Sequence, residues 1–523
     1  MPPVHRIAHM LAFAALASQS ACETTTSPAR YNPPDPPVAS VEVYPESISL
    51  LVGATGMVGS VVRDSAGASL WARSPIWTTG DSNVAVVMGL GTRALVAGRG
   101  PGRTTLTASS GGKAAGLSVT ILPATDFATI AAGENVTCAV SAAQATYCWG
   151  AGPALGHSLV SGGCGDDACI VSPLPVNTTI GFISVQAGRR HTCGLTESGA
   201  AYCWGENALE QIGDAAIIET CPAPDNPARL VPCSSRPVPV SGDLTFVALS
   251  AGAMHTCGLV QDGEAACWGG NMHGQLGAAT PGTSCMDLPY QIIGECSPTP
   301  LRVTGGRHFT SITAGGDHTC ALTSDGTAYC WGGNASGELG VGAVDTVAHA
   351  EPAPVSGDLQ FTGLWAGARH TCGLVTGGEV HCWGAISSRE VGDSPGQEPC
   401  GVFVFAADTT RAFCYASPRR VTTDLRFRTL SLAWASSCGI SLDGTVYCWG
   451  VLQYQDSQCD SSGCFPSVEY LTTPTRVPGV SPFVAISNGR QLCGIATDRI
   501  AYCATKQHHS VGLDPFTRVP GQR

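Results

Sequence analysis

Seven times in this chain a cysteine is followed ten residues later by another. The pairs are Cys138/Cys148, Cys193/Cys203, Cys257/Cys267, Cys320/Cys330, Cys372/Cys382, Cys438/Cys448 and Cys493/Cys503. Thiols at a recurring spacing either join one another or hold a metal ion. A His-Thr-Cys triplet at His191, His255, His318 and His370 keeps the metal reading in view. Zinc sites, however, set their cysteines about two to four residues apart. A separation of ten suits the two arms of a hairpin. Cys257-Gly-Leu-Val260 runs through Gln261-Asp-Gly263 into Glu264-Ala-Ala-Cys267. A three-residue loop ending in a left-handed glycine places residue i opposite i+10, on one face and within bridging reach. These fourteen cysteines are expected as structural disulfides, each contributing roughly 2–3 kcal/mol by loop-closure entropy. No metal and no cofactor is expected. The four histidines are expected as turn residues bonded to the backbone.

Ten further cysteines fall two by two between the pairs, as Cys164/Cys169, Cys221/Cys233, Cys285/Cys296, Cys400/Cys414 and Cys459/Cys464. They are expected to bridge the segments that vary most in length. Two readings stay open for them: shaping long loops for recognition, or protecting those loops from proteolysis. The remaining cysteine of the 25 is Cys22. His5 and Arg6, an apolar run from Ile7 to Ala17 and small residues up to Ala21 precede it, so residues 1–22 read as an export signal. The segment resembles a bacterial lipobox, although Gln19 stands where an aliphatic is usual. The resemblance implies a lipidated Cys22; plain signal cleavage is the alternative. Residues 23–37, rich in Thr, Pro and Ser, read as a flexible tether. Disulfides on this scale place the chain where thiols oxidise.

Two other patterns carry less chemistry. Gly392-Asp-Ser-Pro-Gly396 matches a nucleophile elbow, but Pro395 lacks the N–H that would build the oxyanion hole. Gly165-Asp-Asp167 supplies too few carboxylates for a calcium site. No enzymatic activity is expected.

Charged residues make up 13% of the 523 residues, the net charge is −12, and Lys113 and Lys506 are the only lysines. Nucleic-acid binding needs clustered cations and is disfavoured. The 65 glycines suit short strands and tight turns. No later stretch reaches the ~20 apolar residues that span a bilayer.

The elements that must position the cysteines form two units. Residues 38–122 carry no cysteine and alternate as short strands, among them Val41-Glu-Val-Tyr-Pro45 and Leu117-Ser-Val-Thr-Ile121. They read as a separate β-sandwich. Val41-x-Val-x-Pro45, Trp77 with Asn83-x-Ala85-x-Val87, and Pro101-Gly-Arg-Thr-Thr-Leu-Thr-Ala108 resemble the group 2 bacterial immunoglobulin-like domain. The resemblance implies a cell-surface spacer or adhesion module.

Residues 123–523 repeat. A Phe precedes each first cysteine by eleven residues at Phe127, Phe182, Phe246, Phe309, Phe361 and Phe427, and by ten at Phe483. Trp-Gly follows the second cysteine at Trp149, Trp204, Trp268, Trp331, Trp383 and Trp449, whereas the last copy has Ala504-Thr505. A period of this length marks a ring of β-blades. Gly270-Asn-Met-His-Gly-Gln-Leu-Gly277, the Asp-Gly turns and Tyr-Cys-Trp-Gly resemble the regulator of chromosome condensation repeat family. The resemblance implies an all-β fold with a seven-bladed β-propeller behind the immunoglobulin-like sandwich. Thr475-Arg-Val-Pro-Gly479 recurs at Thr517-Arg-Val-Pro-Gly521, and the C-terminus is expected to complete the blade begun near Phe127.

The functional expectation is a monomeric, non-enzymatic protein of the bacterial cell envelope, outer-membrane-anchored or secreted. It would touch the membrane through its lipid alone and bind a protein or glycan through propeller loops. The alternatives are an inhibitor of a secreted enzyme, because β-lactamase-inhibitor proteins share this propeller, and nucleotide exchange, the activity that names the family. Oxidised blades and a cytosolic GTPase do not share a compartment, which disfavours exchange.

Overall fold

A computed structural model describes residues 36–523 apart from 151, 157–169, 215, 217–218, 224–225, 280–283, 288–290, 386–391, 393–398, 406–407, 455–457, 461–462, 466–467, 480–481, 490, 505–515, 521 and 523. The export signal with Cys22, the tether up to residue 35, Cys164, Cys169, the Gly165–Asp167 stretch and Asp393–Gly396 lie outside the described residues.

Alternating apolar residues between 38 and 122 build two four-stranded sheets. One orders Ser40–Tyr44, Thr55–Arg63, Arg93–Gly98 and Ala85–Leu90; the other orders Ser47–Leu51, Lys113–Leu122, Gly102–Ser110 and Ile76–Thr79. Leu50, Leu51, Val58, Val96, Leu106 and Val119 fill the space between them. This core does not stop at residue 122. It runs on into Phe127, Tyr147 and Trp149, so the sandwich packs against the first repeat.

Seven antiparallel sheets then succeed one another. The first orders Phe127–Ala132, Val136–Ser141, Thr146–Gly150 and Ile170–Pro175. The last orders Phe483–Asn488, Leu492–Ala496, Ala501–Ala504 and Thr517–Arg518. The second, third and fifth gain a fifth strand, because Thr220–Ala223, Ser284–Asp287 and Pro399–Phe405 fold back on long fourth strands.

One turn geometry sets the register in every sheet. The residue six places after the first cysteine has positive φ throughout: Gly199, Gly263, Gly326, Gly378 and Gly444, but also Gln144 (62°) and Arg499 (65°). The hairpin is therefore kept where its glycine is lost, at the cost of holding an L side chain in a left-handed conformation. Each first cysteine consequently lies opposite its partner in register, as Cys138 does opposite Cys148 and Cys372 opposite Cys382.

The strand that carries the second cysteine is not regular along its other edge. Cys148 faces Leu174 but Gly150 faces Ile170, and Cys382 faces Arg419 but Gly384 faces Tyr415. The ladder thus slips just past the cysteine, at Trp149 and Trp383. Extra residues on the fourth strand bulge there. The slip recurs after Cys203, Cys267, Cys330 and Cys448. It leaves the pairing of the two cysteines untouched, because their own hairpin lies on the opposite edge.

Packing between sheets follows a single rule. The bridge of one sheet abuts the Phe and Trp of the next: Cys193 and Cys203 meet Phe246 and Trp268, and Cys320 and Cys330 meet Phe361 and Trp383. The rule also joins the ends, because Cys493 and Cys503 of the last sheet cluster with Phe127 and Trp149 of the first. Where the last sheet has Ala504 in place of Trp, Phe516 fills the space, its ring centre 4.4 Å from that of Phe483 and tilted by 41°.

The C-terminal strand does not complete the first blade. Tyr502 and Cys503 pair with Arg518 and Thr517, so Thr517–Arg518 is the fourth strand of its own sheet. Its register matches Cys448 opposite Thr475 one sheet earlier. Local pairing with the preceding strand supplies the same hydrogen bonds without a long-range strand exchange, and the ends meet as two whole sheets.

Candidate functional site

The structure joins all seven ten-residue pairs: Cys138–Cys148, Cys193–Cys203, Cys257–Cys267, Cys320–Cys330, Cys372–Cys382, Cys438–Cys448 and Cys493–Cys503. Their Cα atoms lie 4.0–4.1 Å apart. These cysteines are fully buried in six sheets, and Cys503 in the last is 8% exposed. Cys221–Cys233 and Cys285–Cys296 are bonded as well. Cys414 is disulfide-bonded, while the side chain of Cys400 lies outside the described residues. Cys459 stands opposite Cys464 across a small hairpin. Glu219 lies beside Cys221 and Cys233, but those sulfurs are committed to each other and the carboxylate accepts from Ser235 N and Oγ.

The histidines depart from expectation. Their main-chain carbonyls do close tight turns, as His191 O accepts from Gly188 N. The imidazoles, however, reach the neighbouring sheet. Nε2 of His191, His255, His318 and His370 lies 2.8–2.9 Å from the hydroxyl of Thr256, Thr319, Thr371 and Ser437. Three of those hydroxyls donate back to a main-chain carbonyl of the preceding loop, at Gln211, Gln275 and Glu338. A hydroxyl has one proton to give, so Nε2 is the donor at His191, His255 and His318, whose imidazoles are the neutral Nε2–H tautomer. Nδ1 then carries a buried lone pair with no partner among the described residues. Burial pushes the pKa of His191 and His318 down to about 4 and of His255 and His370 to about 3.

The Asn-centred loops serve the same clasp. Asn271 Oδ1 accepts from Leu276 N and Gln275 Oε1 from His273 N, which aims the Gln275 carbonyl at Thr319 Oγ1 and Trp331 Nε1 of the next sheet. The most specific sequence signatures of the repeat therefore hold sheet to sheet. Glu338 stands where the sister loops have Gln211 and Gln275; burial drives its carboxyl up to about 7.

What remains for function lies near the centre of the array. The small residues ending each innermost strand, from Ala132 and Gly133 to Asn488 and Gly489, surround one cavity of about 510 Å³ that every sheet lines. Neighbours touch backbone to backbone there: Arg189 N donates to Gly252 O, Ala253 N to Gly315 O and Gly316 N to Gly367 O. Glycine is required for this approach, since a Cβ on Gly489 would strike the carbonyl oxygen of Gly133. Among these small residues stand three large side chains, Glu134, Arg189 and Trp434. Sequence reasoning missed them. Each directly follows the Ala-Gly step or its variant (Gly133, Gly188, Ala433), and aligning that position across the repeats would have exposed them.

The fold is all-β and built of repeated sheets, and the solved structures it resembles are RCC1-like propellers. Residues 182–211, 246–275 and 309–338 match the regulator of chromosome condensation (RCC1) repeat, as do residues 262–322. Among solved structures, yeast RCC1 (Prp20) bound to Kap60 superposes with a TM-score of 0.53 at 20% identity, covering 70% of this chain and 79% of that one. Human WBSCR16 gives 0.52 at 18% identity, covering 71% and 86%. Among relatives in sequence, the human probable E3 ubiquitin-protein ligase HERC6 is 26% identical over 44% of this chain and 21% of its own length. The Arabidopsis thaliana ultraviolet-B receptor UVR8 is 24% identical over 61% of this chain and 64% of its own. The chain thus spans less than two thirds of either relative.

Proposed function

We propose that this protein is a non-enzymatic recognition protein that works outside the cytosol, with a closed seven-bladed propeller as its binding head. The observation that carries this reading is the buried disulfide inside every one of the seven sheets. A reducing compartment would strip that support from all of them at once. The immunoglobulin-like sandwich orients the head, and Cys22 anchors the chain to a bacterial envelope. The partner is a protein or glycan bound by the monomeric chain. Protein partners have precedent in this fold: yeast RCC1 was solved bound to Kap60, and Prp20p was studied for its binding to Gsp1p and histones. The triplet histidines His191, His255, His318 and His370 are buried between sheets as clasps, which supports a structural role for them rather than a catalytic one.

The test has two arms. Mass spectrometry of the native, alkylated, non-reduced protein should find the fourteen paired cysteines unmodified; labelling of most of them would overturn the compartment. Proximity labelling from the intact chain on its own cells should then yield a partner that forms a stoichiometric complex with the purified protein. If that partner is a secreted hydrolase and its turnover falls on binding, the protein is an inhibitor. Accelerated GDP release from a GTPase would overturn the recognition reading.

A further inference from the structure

The central cavity carries a built polar group at its wall. Arg189 Nε donates to Glu134 Oε2 at 2.6 Å, and the guanidinium carbon sits 5.0 Å from the centre of the Trp434 indole. Glu134, Arg189 and Trp434 come from the first, second and sixth sheets. One cation is thus held at its inner nitrogen by a carboxylate and over its carbon by an aromatic face. Its two terminal nitrogens donate to no group among the described residues. The three side chains stay in reach of solvent, at 30% exposure for Arg189, 39% for Glu134 and 50% for Trp434. The wall beneath them is alanine and glycine from every sheet.

We infer that this cavity is a binding seat for a carboxylate on a short apolar body, with Arg189 as its receptor and the alanine wall as its apolar lining. The free edge of a guanidinium presents two parallel N–H donors whose spacing matches the two oxygens of a carboxylate. Glu134 and Trp434 fix that edge in advance, so little side-chain freedom is lost on binding. The volume of about 510 Å³ lies within the range of small-ligand sites. Trp and Arg are also the residue types that dominate protein interfaces. Two sources share this chemistry, the C-terminus of a partner chain and a free short-chain acid. The seat deepens the recognition reading and rests on it for its biological use.

The probes are N-acetyl-leucine, which mimics a chain terminus, 4-methylpentanoate, which lacks the amide, and N-acetyl-leucinamide, which lacks the charge. Calorimetric titration of the full chain should show saturable binding of at least one acid and none of the amide. Arg189→Gln should weaken it tenfold or more. Arg189→Lys, which keeps the charge and loses the fork, should also weaken it by about tenfold. Tighter binding of N-acetyl-leucine assigns a chain terminus; equal binding assigns a free acid. Thermal melting of each variant should match the parent, since these side chains are solvent-accessible. No saturable binding of either acid, equal binding of the amide, or undiminished binding to a folded Arg189→Gln variant would overturn the seat. Those failures leave the recognition role to stand or fall on the partner complex.

Discussion

The hydroxyl of Thr256 lies 2.8 Å from Nε2 of His191 in one sheet and donates over 2.9 Å to the carbonyl of Gln211. One buried side chain therefore ties two structures of the preceding sheet to its own. The arrangement recurs at Thr319 and Thr371, which makes the His-Thr-Cys triplet a clasp between sheets.

Replacing Thr256 by Val keeps the shape and removes both bonds. It strands the Nε2–H of His191 and the carbonyl of Gln211 away from water, at a cost of about 2–4 kcal/mol. Thr256→Ser should restore most of this. Urea denaturation of the oxidised protein, followed by far-ultraviolet circular dichroism, checks both.

The clasps should fail in acid. His191, His255, His318 and His370 hold folded-state pKa values of about 3 to 4, below the ordinary value of 6.5. An unfolded chain takes up these protons as pH falls below about 6.5 while the folded chain does not, so stability present at pH 7 is lost between about pH 6.5 and pH 3–4. Each histidine contributes at most about 1.4 kcal/mol per pH unit in that window. His255→Gln, which keeps a donor without the titration, should flatten the slope by one proton. Denaturant midpoints at pH 7, 5.5 and 4.5 measure it, and an unchanged slope would show that His255 titrates normally.

Glu338 works in the opposite sense. Burial raises its carboxyl to about 7, so it folds best protonated and its contribution is lost as pH rises through neutrality. Glu338→Gln copies Gln211 and Gln275 of the sister loops and should stabilise the protein at pH 8 by about 1–3 kcal/mol. The gain should vanish near pH 5. A gain independent of pH would point to packing instead.

Phe516 replaces a tryptophan from elsewhere in the chain. Phe516→Ala should open a cavity beside Phe483 and the Cys438–Cys448 bridge, costing about 3–5 kcal/mol. Adding Ala504→Trp to that variant should recover part of the loss, since it restores the residue that the other sheets carry. Thermal melts of the three proteins decide this, and a double variant no better than the single one would refute the replacement.

Local chemistry was legible in the sequence. The spacing of Cys257 and Cys267 around Asp262-Gly263 specifies a hairpin, because loop length sets which residues face each other over ten positions. Repetition of that unit specifies an all-β array, since each sheet has an apolar face that only a neighbour can cover. The disposition of more distant parts was not legible. The C-terminal strand looked like a partner for the first blade and pairs instead at home with Tyr502 and Cys503. The four histidines looked like backbone-bonded turn residues, because nothing within a repeat announces a hydroxyl about 53 to 67 positions away. Ala132 bonds to Ser487 across 355 positions, and Arg189 meets Trp434 across the centre. Those contacts depend on how the twist and packing of each sheet add up over seven steps. That sum is a property of the assembled array, and no single repeat contains it.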